Sequence, residues 1–351
     1  MTAFRSRISV CFPHPAWPNP TSSVYLARVG GAWHTLRWQN VKPPLVAIVG
    51  PTASGKSALA LRIATAFSGE IINCDALQLY RGFDIGTAKT PVAERRGIPH
   101  HLLDVLEPQT SFSAGDYARA AREVIAGISS RGHLPLVVGG TGFYLRGLLE
   151  GLPALPGRDE ALRGRLSARE QRRPGALHRL LRRLDPSAAA RIHPRDVQKV
   201  TRALEIRLLT GRTSPEPSTA RPLDGFRVLL LGLAPERSLL AAAIADRTRK
   251  MFAGGLVDEV RGLLEQGLSG EEKPFESLGY KQTLAHLRGQ ISLEQAIEST
   301  EIETRQYAKR QLTWFRGTSE NNSPLLWFTG FGTDPANADA CLDAVRKFLQ
   351  E

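Results

Sequence analysis

The 351-residue sequence is poor in cysteine and has no long hydrophobic run. Cys11, Cys74 and Cys341 are too widely spaced to form a disulfide framework or a C-x-x-C metal site, and the eight histidines are scattered. Its longest apolar runs, such as 45–49 and 228–231, are far shorter than the roughly 20 residues that a membrane-spanning helix needs. We therefore expect a reduced, cytoplasmic protein with no membrane span and no cluster of metal ligands.

Two parts of the chain contain few acidic residues, and the net positive charge is concentrated in them. The sequence has 46 Lys and Arg against 34 Asp and Glu, a formal net charge of +12. Residues 1–42 have five basic residues and no acidic one, and residues 158–222 carry a net charge of +9. A basic segment on a nearly neutral body is typical of a clamp for a polyanion such as nucleic acid. The alternative is a helical hairpin whose arginines simply face water.

Residues 1–42 also lack the apolar core and the cleavage site of a secretory signal. Their Arg- and Ser-containing, acid-free composition weakly resembles an organelle transit peptide. The simpler interpretation is an N-terminal extension that is disordered or dispensable, or an upstream start. A later start, for instance at Val41, would need a non-Met codon, because the only other methionine is Met251.

Beyond residue 42 the pattern is that of an α/β protein. Short branched apolar runs alternate with helical spacings, which predicts a parallel sheet with right-handed crossovers. We expect strands at 45–49, 70–74, 134–138 and 226–233, and helices at 58–67 and 113–130. The basic segment has helical patterns at 161–173, 177–184 and 197–210. The C-terminal third predicts helices at 239–266, which Gly254-Gly255 could interrupt, and 293–315, then a short strand at 325–328.

A glycine-rich loop joins the first predicted strand to the first predicted helix. It fits the pattern G-x-x-x-x-G-K-[ST] with Gly50, Pro51, Thr52, Ala53, Ser54, Gly55, Lys56 and Ser57. Its glycines let successive N–H groups face one concavity, and the helix N-terminus adds about half a positive charge. Lys56 adds a point charge, and the Ser57 hydroxyl is suited to ligate Mg²⁺. The loop predicts a phosphate site, with Mg²⁺ as the cofactor.

These patterns together define the expected organisation. We expect a P-loop NTPase-like parallel sheet flanked by helices, with a basic helical insertion domain. The divisions are an N-terminal extension (1–42), a P-loop core (43–157 and 223–320), a helical insertion (158–222) and a C-terminal tail (321–351).

Asp75 follows the second predicted strand, whereas the third ends in Gly139-Gly140-Thr141 with no carboxylate. The carboxyl ends of parallel strands face the ligand crevice. Asp75 is therefore a candidate general base, or a magnesium ligand through water. The alternative is a turn-forming or helix-capping aspartate. An ordinary NTPase normally supplies a strand-end Asp for Mg²⁺, and the third strand has none.

Several segments, in order, resemble the bacterial tRNA dimethylallyltransferases, also called tRNA isopentenyltransferases. They are VAIVGPTASGKSALA (46–60), INCDALQLYRGFDIGTAK (72–89), VVGGTGFYLRGLLEGL (137–152), DVQKVTRALEIRLLTG (196–211), SLGYKQ (277–282) and RQYAKRQLTWFR (305–316). The resemblance spans about residues 44–317, and the GPTASGK and DIGTAK pieces are together highly specific. Two departures matter little: Ser57 replaces a frequent Thr, and Cys74 replaces a commoner small residue.

This family transfers a dimethylallyl group from dimethylallyl diphosphate to N6 of adenosine 37, just 3′ of the anticodon, in tRNAs that read codons beginning with U. The resemblance implies that the P-loop holds the diphosphate leaving group rather than ATP, and that Arg247 helps to bind it. It implies that Asp75 is the general base at N6, and that Thr141 lies beside the flipped adenine and the reacting carbon.

The resemblance also implies the partners of the chain. They would be the anticodon stem-loop of tRNA and dimethylallyl diphosphate, and we expect a monomer. The implied tRNA contacts are Asp75, Ala76, Leu77, Gln78, Thr141, Arg163, Gln198, Lys199, Val200, Thr201, Arg202, Phe275, Glu276, Ser277, Leu278, Gly279, Tyr280 and Lys281.

The residues alone leave two other classes of function open. A small-molecule kinase or NTPase explains the P-loop, but neither the missing carboxylate of the third strand nor the basic insertion. A non-enzymatic RNA-binding protein with a nucleotide-gated clamp explains the charge, but it gives Asp75 and Thr141 no task.

Overall fold

The strands of the protein form one antiparallel pair and one large parallel sheet. The computed structural model describes residues 42–153, 155–213, 222–317 and 325–351, together with the backbone of two strands before residue 42. Those two strands, β1 (Ser23–Val29) and β2 (Ala32–Trp38), pair antiparallel. The extension expected at 1–42 therefore contains paired strands that its composition did not predict, and the rest of it lies outside the described residues.

The large sheet has six strands, all parallel, and it confirms the predicted α/β class. In chain order its strands are β3 (Pro44–Val49), β4 (Gly69–Asn73), β5 (His100–His101), β6 (Leu134–Val138), β7 (Arg227–Leu233) and β8 (Leu325–Phe328). Their spatial order is β5-β4-β6-β3-β7-β8, so the strand before the glycine-rich loop lies in the interior of the sheet.

Twelve α-helices lie in the described residues; the four between β6 and β7 pack among themselves, and the others flank the sheet. The twelve helices are α1 (Lys56–Phe67), α2 (Ala114–Ser130), α3 (Gly142–Leu149), α4 (Glu160–Arg172), α5 (Ala176–Leu184), α6 (Pro186–Arg191), α7 (Val197–Thr210), α8 (Arg237–Ala253), α9 (Leu256–Glu265), α10 (Tyr280–Leu287), α11 (Leu293–Gly317) and α12 (Pro335–Gln350). None of the helices in the described ranges is long and apolar enough to cross a membrane.

The side chains of β3 alternate between the two faces of the sheet, and each face has its own hydrophobic core. All six residues of β3 are buried. Val46 and Ile48 pack in a cluster with residues of α1 and α12, whereas Leu45, Ala47 and Val49 pack in a second cluster with residues of α2, α3, α9 and α10. Because successive side chains of a strand point to opposite faces, one unbroken apolar run supplies both cores.

The C-terminal segment belongs to the same body. The expected tail at 321–351 contains β8, which pairs with β7, and α12, which packs against α1. The side chains of Ala338, Cys341 and Val345 are fully buried, and Arg62 of α1 pairs with Asp339 at 2.7 Å. The spacing of the three buried residues is helical, so the sequence itself contains a signal for α12.

The basic segment between β6 and β7 has an apolar core of its own. Leu162 and Leu166 of α4 pack with Leu177 and Leu181 of α5 and with Leu204 of α7. The three predicted helices of this segment are present, together with the unpredicted α6, which Asp185 caps. The division of the chain into an insertion and a core stays a prediction.

A buried carboxylate ties the helices of this segment together. Glu205, whose side chain is 0% exposed, accepts two hydrogen bonds of 2.9 Å from the guanidinium of Arg163 and one of 2.5 Å from Arg202. Burial alone would raise the pKa of Glu205, but the bonds from Arg163, the Asp159 N–H and Arg202 outweigh it and lower that pKa to about 2.

We expect Glu205→Gln to destabilise this segment by about 2 kcal/mol at pH 7, because two guanidinium groups lose their charged acceptor. The folded pKa lies below the unfolded value of 4.5, so the contribution of Glu205 is present above pH 4.5 and is lost as the pH falls towards 2. Urea unfolding at both pH values measures the difference, with the exposed Glu271→Gln as the control. A deficit that is the same at pH 7 and near pH 2 would contradict the ion-pair interpretation.

Candidate active site at the carboxyl ends of the strands

The loop between β3 and α1 has a backbone that favours glycine. Gly50 and Gly55 have φ angles of 143° and 83°, and a Cβ on Gly50 would lie 2.7 Å from the carbonyl oxygen of Leu233. Ala53 also has a positive φ of 62°, which is strained for a residue with a side chain. The loop leads directly into α1 at Lys56, where backbone N–H groups and the helix dipole attract an anion.

Gln311 of α11 holds this loop from one side. Its Oε1 accepts a hydrogen bond from the N–H of Thr52 at 2.8 Å, and its Nε2 donates to the carbonyl oxygen of Gly140 at 2.9 Å. Gln311 is 5% exposed, so both bonds are shielded from water. It thereby joins the glycine-rich loop to the end of β6. Sequence reasoning gave Gln311 no role, although the segment 305–316 carries part of the family resemblance.

Asp75 and Thr141, both predicted to be catalytic, are brought together at the ends of β4 and β6. Asp75 sits in a turn in which its N–H donates to Oδ1 of Asn73, and its own Oδ1 accepts from the N–H of Leu77, both at 2.9 Å. Thr141 accepts a hydrogen bond through Oγ1 from the N–H of Ala76 at 3.1 Å. Asp75 is thus a turn-forming aspartate, as the alternative interpretation predicted, and its turn is fixed to Thr141.

Three charged groups share this edge of the sheet. Burial and the positive charge of Arg247 lower the pKa of Lys56 to about 7, while the Asp75 carboxylate opposes them. Burial also lowers the pKa of Arg247, again against the influence of Asp75. Nζ of Lys56 donates to the carbonyl oxygen of Pro51 at 2.6 Å. Two cations beside one carboxylate leave the site positive and suited to a strongly anionic group.

The DIGTAK segment supports the Asp75 turn rather than lining the site. Lys89 is 8% exposed, and its Nζ contacts the carboxylates of Asp84, at 2.7 Å, and Asp104. Glu259 of α9 accepts a hydrogen bond of 2.8 Å from the N–H of Ile85 and one of 2.5 Å from the hydroxyl of Tyr280. The chain from Asp75 onward is therefore anchored to the helices beneath it.

The exposed side of α11 forms a basic and aromatic wall beside the site. Burial and the Asp75 carboxylate raise the pKa of Tyr307, which places this phenol near the site. A Cβ on Gly142 would lie 2.2 Å from the ring of Trp314, so this ring packs directly beside the residue that follows Thr141. A cavity of about 820 Å³ opens here, lined by Arg146, Gln306, Lys309, Arg310, Thr313, Trp314 and Gly317.

Several residues expected to contact tRNA have side chains in the core. Val200, Phe275 and Tyr280 are 1%, 2% and 0% exposed, and both rings pack against Phe83. The side chains of these three residues therefore lie in the core rather than at a surface. The sequence did not reveal this, because apolar periodicity on a helix or turn does not distinguish a binding face from a packed one. Gly279 lies in the turn before α10 and has a positive φ of 89°. The residues expected to contact tRNA that are partly or fully exposed are Ala76, Leu77, Gln78, Gln198, Lys199, Thr201, Glu276, Ser277, Leu278 and Lys281.

Arg163 and Arg202, also expected at the RNA, are the guanidinium groups bound to Glu205. Their side chains are 19% and 31% exposed, so part of each remains at the surface. Lys281 pairs with Glu303 of α11. These positions have structural partners that their sequence pattern did not reveal.

The fold and this edge define a parallel α/β protein with an anion-binding P-loop and an acid–base group opposite it. The family described as IPP transferase matches residues 78–318. A tRNA dimethylallyltransferase of Solibacter usitatus (strain Ellin6076) is 57% identical over 309 residues, which are 87% of this chain and 99% of that protein. One from Koribacter versatilis (strain Ellin345) is 47% identical over 308 residues, 87% of this chain and 98% of that protein. The chain belongs to the IPP transferase family.

Solved structures agree with this assignment. The full-length tRNA isopentenylpyrophosphate transferase of Bacillus halodurans is 39% identical, with a TM-score of 0.63, and the match covers 88% of this chain and 96% of that one. A eukaryotic dimethylallyltransferase acting on tRNA is 29% identical, with a TM-score of 0.71, and the match covers 88% of this chain and 80% of that one. The family predicted from the motifs is confirmed.

The lowered pKa of Lys56 predicts that anion binding is coupled to proton uptake. At pH 8 the amine of the free protein is largely neutral, and it must gain a proton to pair with pyrophosphate. Affinity should therefore be greatest below pH 7 and decline above it. Calorimetric titration with pyrophosphate in two buffers of different ionisation enthalpy counts the protons taken up.

The matched variants are Lys56→Gln at the site and the surface control Lys281→Gln. The first should lose this part of the proton uptake and bind about tenfold more weakly or worse, because one charge-assisted hydrogen bond is removed. The second should behave as wild type. Equal proton uptake in wild type and Lys56→Gln would show that Lys56 does not titrate on binding.

Proposed function

We propose that this enzyme transfers the dimethylallyl group of dimethylallyl diphosphate to N6 of adenosine 37, 3′ of the anticodon, in tRNAs that read codons beginning with U. Diphosphate is the leaving product. We also propose that it works as a monomer in the cytoplasm. The observation that carries the proposal is the convergence of the P-loop, Arg247, Asp75 and Thr141 at one edge of the sheet.

The cationic half of this edge suits the leaving group. An allylic diphosphate departs readily once its developing charge is stabilised, because the allyl carbon can bear positive character. Lys56, Arg247 and the N–H groups at the start of α1 are preorganised to provide that stabilisation. Ser54 adds a hydroxyl that is buried and, within the described ranges, has no hydrogen-bond partner. A phosphate oxygen would provide its acceptor.

The residues at the start of α1 also fit Mg²⁺. Ser57 offers an exposed hydroxyl oxygen at the second residue of this helix, and Mg²⁺ accepts oxygen ligands while it keeps several waters and substrate phosphates. Among the described residues no group of three His, Cys, Asp or Glu could hold the ion alone. Ser57 and the diphosphate would therefore hold it, and it would neutralise charge on the leaving group.

The anionic half of the edge suits the nucleophile. The N6 amine of adenine is a weak nucleophile, because its lone pair is delocalised into the ring, so the enzyme must orient it and remove its proton. One oxygen of Asp75 is bound to the N–H of Leu77, and the described groups offer no hydrogen bond to the other. That second oxygen can accept the proton of N6, while Thr141 and its bond to Ala76 fix the turn.

The wall formed by α11 suits an unstacked base and its flanking phosphates. The exposed rings of Phe143 and Trp314 meet edge to face with centroids 6.4 Å apart, beside cations of the 820 Å³ cavity. Loop bases of RNA are recognised by such stacking on aromatic rings and by contacts to phosphate. An adenine in the anticodon loop can be flipped into a pocket at modest cost.

The competing function, a P-loop kinase or NTPase, is not favoured. β6 ends in Gly139-Gly140-Thr141, and the approach of Gly139 to Cys74 leaves no room for a side chain, since a Cβ would lie 2.1 Å from the Cys74 oxygen. An Asp therefore does not fit at the position at which an NTPase normally carries its magnesium-binding Asp.

The direct test uses purified protein with Mg²⁺, radiolabelled dimethylallyl diphosphate and unmodified tRNA that carries adenosines around position 37, with ATP in a parallel reaction. We expect label in tRNA at adenosine 37 and no phosphate released from ATP. Consumption of ATP without labelled tRNA would overturn the proposal in favour of the kinase. RNA binding without turnover of any diphosphate would favour a non-enzymatic binding protein.

Asp75→Asn should lower the turnover number by about 10²–10⁴-fold, because asparagine keeps the bond to the Leu77 N–H but cannot take the proton. Single-turnover rates and equilibrium binding measure the two steps separately, with the same change at the exposed Asp343, Asp343→Asn, as the control. Affinity for tRNA and diphosphate should stay close to wild type. Loss of tRNA affinity with an unchanged chemical step would refute the role of Asp75 as the base.

Arginines between α4 and α5 form a groove that suits the phosphates of an RNA stem. A cavity of about 630 Å³ is lined by Arg165, Ala168, Arg169, Arg172, Arg173, Ala176, Arg179, Leu180 and Arg183. Six cations on two short helices exceed what the local carboxylates neutralise. The surface supports the interpretation of the basic segment as a clamp for tRNA.

The triple variant Arg169→Gln, Arg172→Gln and Arg183→Gln should weaken tRNA binding. The slope of log affinity against log salt should fall by about 0.9 for each phosphate that no longer pairs with an arginine. The control variant Arg119→Gln, Arg261→Gln and Arg346→Gln removes the same charge from exposed helical positions elsewhere. Filter binding over a range of salt concentrations compares the two. Equal effects of both variants would attribute the binding to net charge rather than to the groove.

A further inference from the structure

The turn between β8 and α12 packs against the outside of the P-loop. Gly332 is buried in this turn, and its N–H donates a hydrogen bond to the carbonyl oxygen of Ser54 at 2.9 Å. The contact joins the last secondary-structure elements of the chain to the loop that carries the phosphate-binding N–H groups. It lies outside the segment 44–317 that resembles the family in sequence.

Two glycines make this approach possible. A Cβ on Gly332 would lie 2.5 Å from the carbonyl oxygen of Gly55 and 2.9 Å from Cβ of Leu59. A Cβ on Gly55 would in turn lie 2.9 Å from the N–H nitrogens of both Gly332 and Thr333. The two backbones are therefore in direct contact, and neither glycine can gain a methyl group without moving the other.

Apolar packing reinforces the contact at the strained part of the loop. Phe331 and Ala53, the residue with a positive φ, both pack against a cluster formed by Leu240 and Ile244 of α8 and Ala308 of α11. The same two helices carry Arg247 and Gln311. The turn thus packs where the P-loop meets the helices that supply the rest of the site.

α12 fixes the turn in place. Nδ2 of Asn337 and the N–H of Asp334 both donate to the carbonyl oxygen of Phe331, at 3.0 and 3.1 Å. Beyond the turn, the buried face of α12 and the bond between Arg62 and Asp339 attach this helix to α1. Since α1 begins within the P-loop, the turn and the loop are both anchored to the same helix.

We propose that Gly332 is a positioning residue, and that the turn 331–333 holds the P-loop N–H groups in the geometry that binds the diphosphate of the allylic substrate. Gln311 holds Thr52 from one side, and Gly332 holds Ser54 from the other. The proposal rests on the proposed function for the identity of the ligand. It makes the C-terminal segment part of substrate binding without any contact to the substrate.

The test uses Gly332→Ala in the full-length enzyme. Gly332 does not have a positive φ, so alanine is compatible with its backbone, and the added methyl group acts by pressing on Gly55. The affinity for pyrophosphate and the KM for dimethylallyl diphosphate should worsen about tenfold or more. Affinity for tRNA should stay within about twofold, because the RNA-binding surfaces are not touched.

Two further variants separate positioning from general damage. Phe331→Leu removes ring packing at this cluster without pressing on the backbone, and it should give a smaller loss of pyrophosphate affinity in the same direction. Gly262→Ala in α9 adds the same methyl group where nothing lies within 4 Å of it, and it should bind pyrophosphate as wild type does. Thermal unfolding of each variant shows whether it is folded.

Hydrogen exchange at residues 52–57 provides a readout that does not depend on a ligand. Faster exchange of these amides in Gly332→Ala, with unchanged exchange in β4 and β6, would support the positioning role. Unchanged exchange together with wild-type pyrophosphate affinity in a folded Gly332→Ala would overturn it. If the wild type binds no diphosphate, the proposed function fails, and the exchange result alone decides whether the turn positions the loop.

Discussion

The two hydrogen bonds of Gln311 determine how the halves of the site are arranged. One end of this side chain is bound to the N–H of Thr52 in the P-loop, and the other to the carbonyl oxygen of Gly140 at the end of β6. In the proposed function the P-loop holds the leaving diphosphate, and the residue after Gly140 is the threonine that accepts a hydrogen bond from the Asp75 turn. The buried amide of Gln311 holds the P-loop and the end of β6 at a fixed distance. It pairs one backbone donor and one backbone acceptor that folding would otherwise leave unpaired.

The electrostatics of the site follow from the same proximity. Lys56 and Arg247 are partly buried, and burial makes the charged form of each less stable than it is in water. The single carboxylate of Asp75 does not neutralise both, so the site favours a ligand that brings negative charge. A diphosphate would meet that requirement, and its arrival would restore the charged form of Lys56. We therefore expect binding of a diphosphate and protonation of Lys56 to be coupled.

Charged side chains have different roles in the basic segment 158–222 and in the rest of the protein. In the segment 158–222 a buried glutamate gathers two arginines and stabilises the packing of its helices, while the arginines of the α4–α5 groove stay exposed. In the body, positive and negative charges nearly balance, and apolar side chains form a core on each face of the sheet. The separation allows a surface with strong attraction for a polyanion to be carried on a fold whose stability does not depend on it.

Local patterns in the sequence determined the parallel sheet, the P-loop and the family, because strand runs, glycine spacing and helix starts are properties of neighbouring residues. They also predicted that Asp75 lies at the ligand edge, since a residue directly after a strand lies at that edge of a parallel sheet, whereas Thr141 was predicted from the family resemblance alone. They did not reveal β5, which is two residues long, or the role of α12.

Only the tertiary structure decided which of the matching residues are exposed and which are buried. Val200, Phe275 and Tyr280 share segments with surface residues, but their side chains fill the core. Arg163 and Arg202 are bound to a glutamate that lies 42 and 3 positions away in the sequence. Gln311 and Gly332 reach the P-loop from 259 and 278 residues along the chain. Apart from the i,i+3 pair of Arg202 and Glu205 on α7, such contacts depend on how distant segments pack together, and no local spacing in the sequence encodes them.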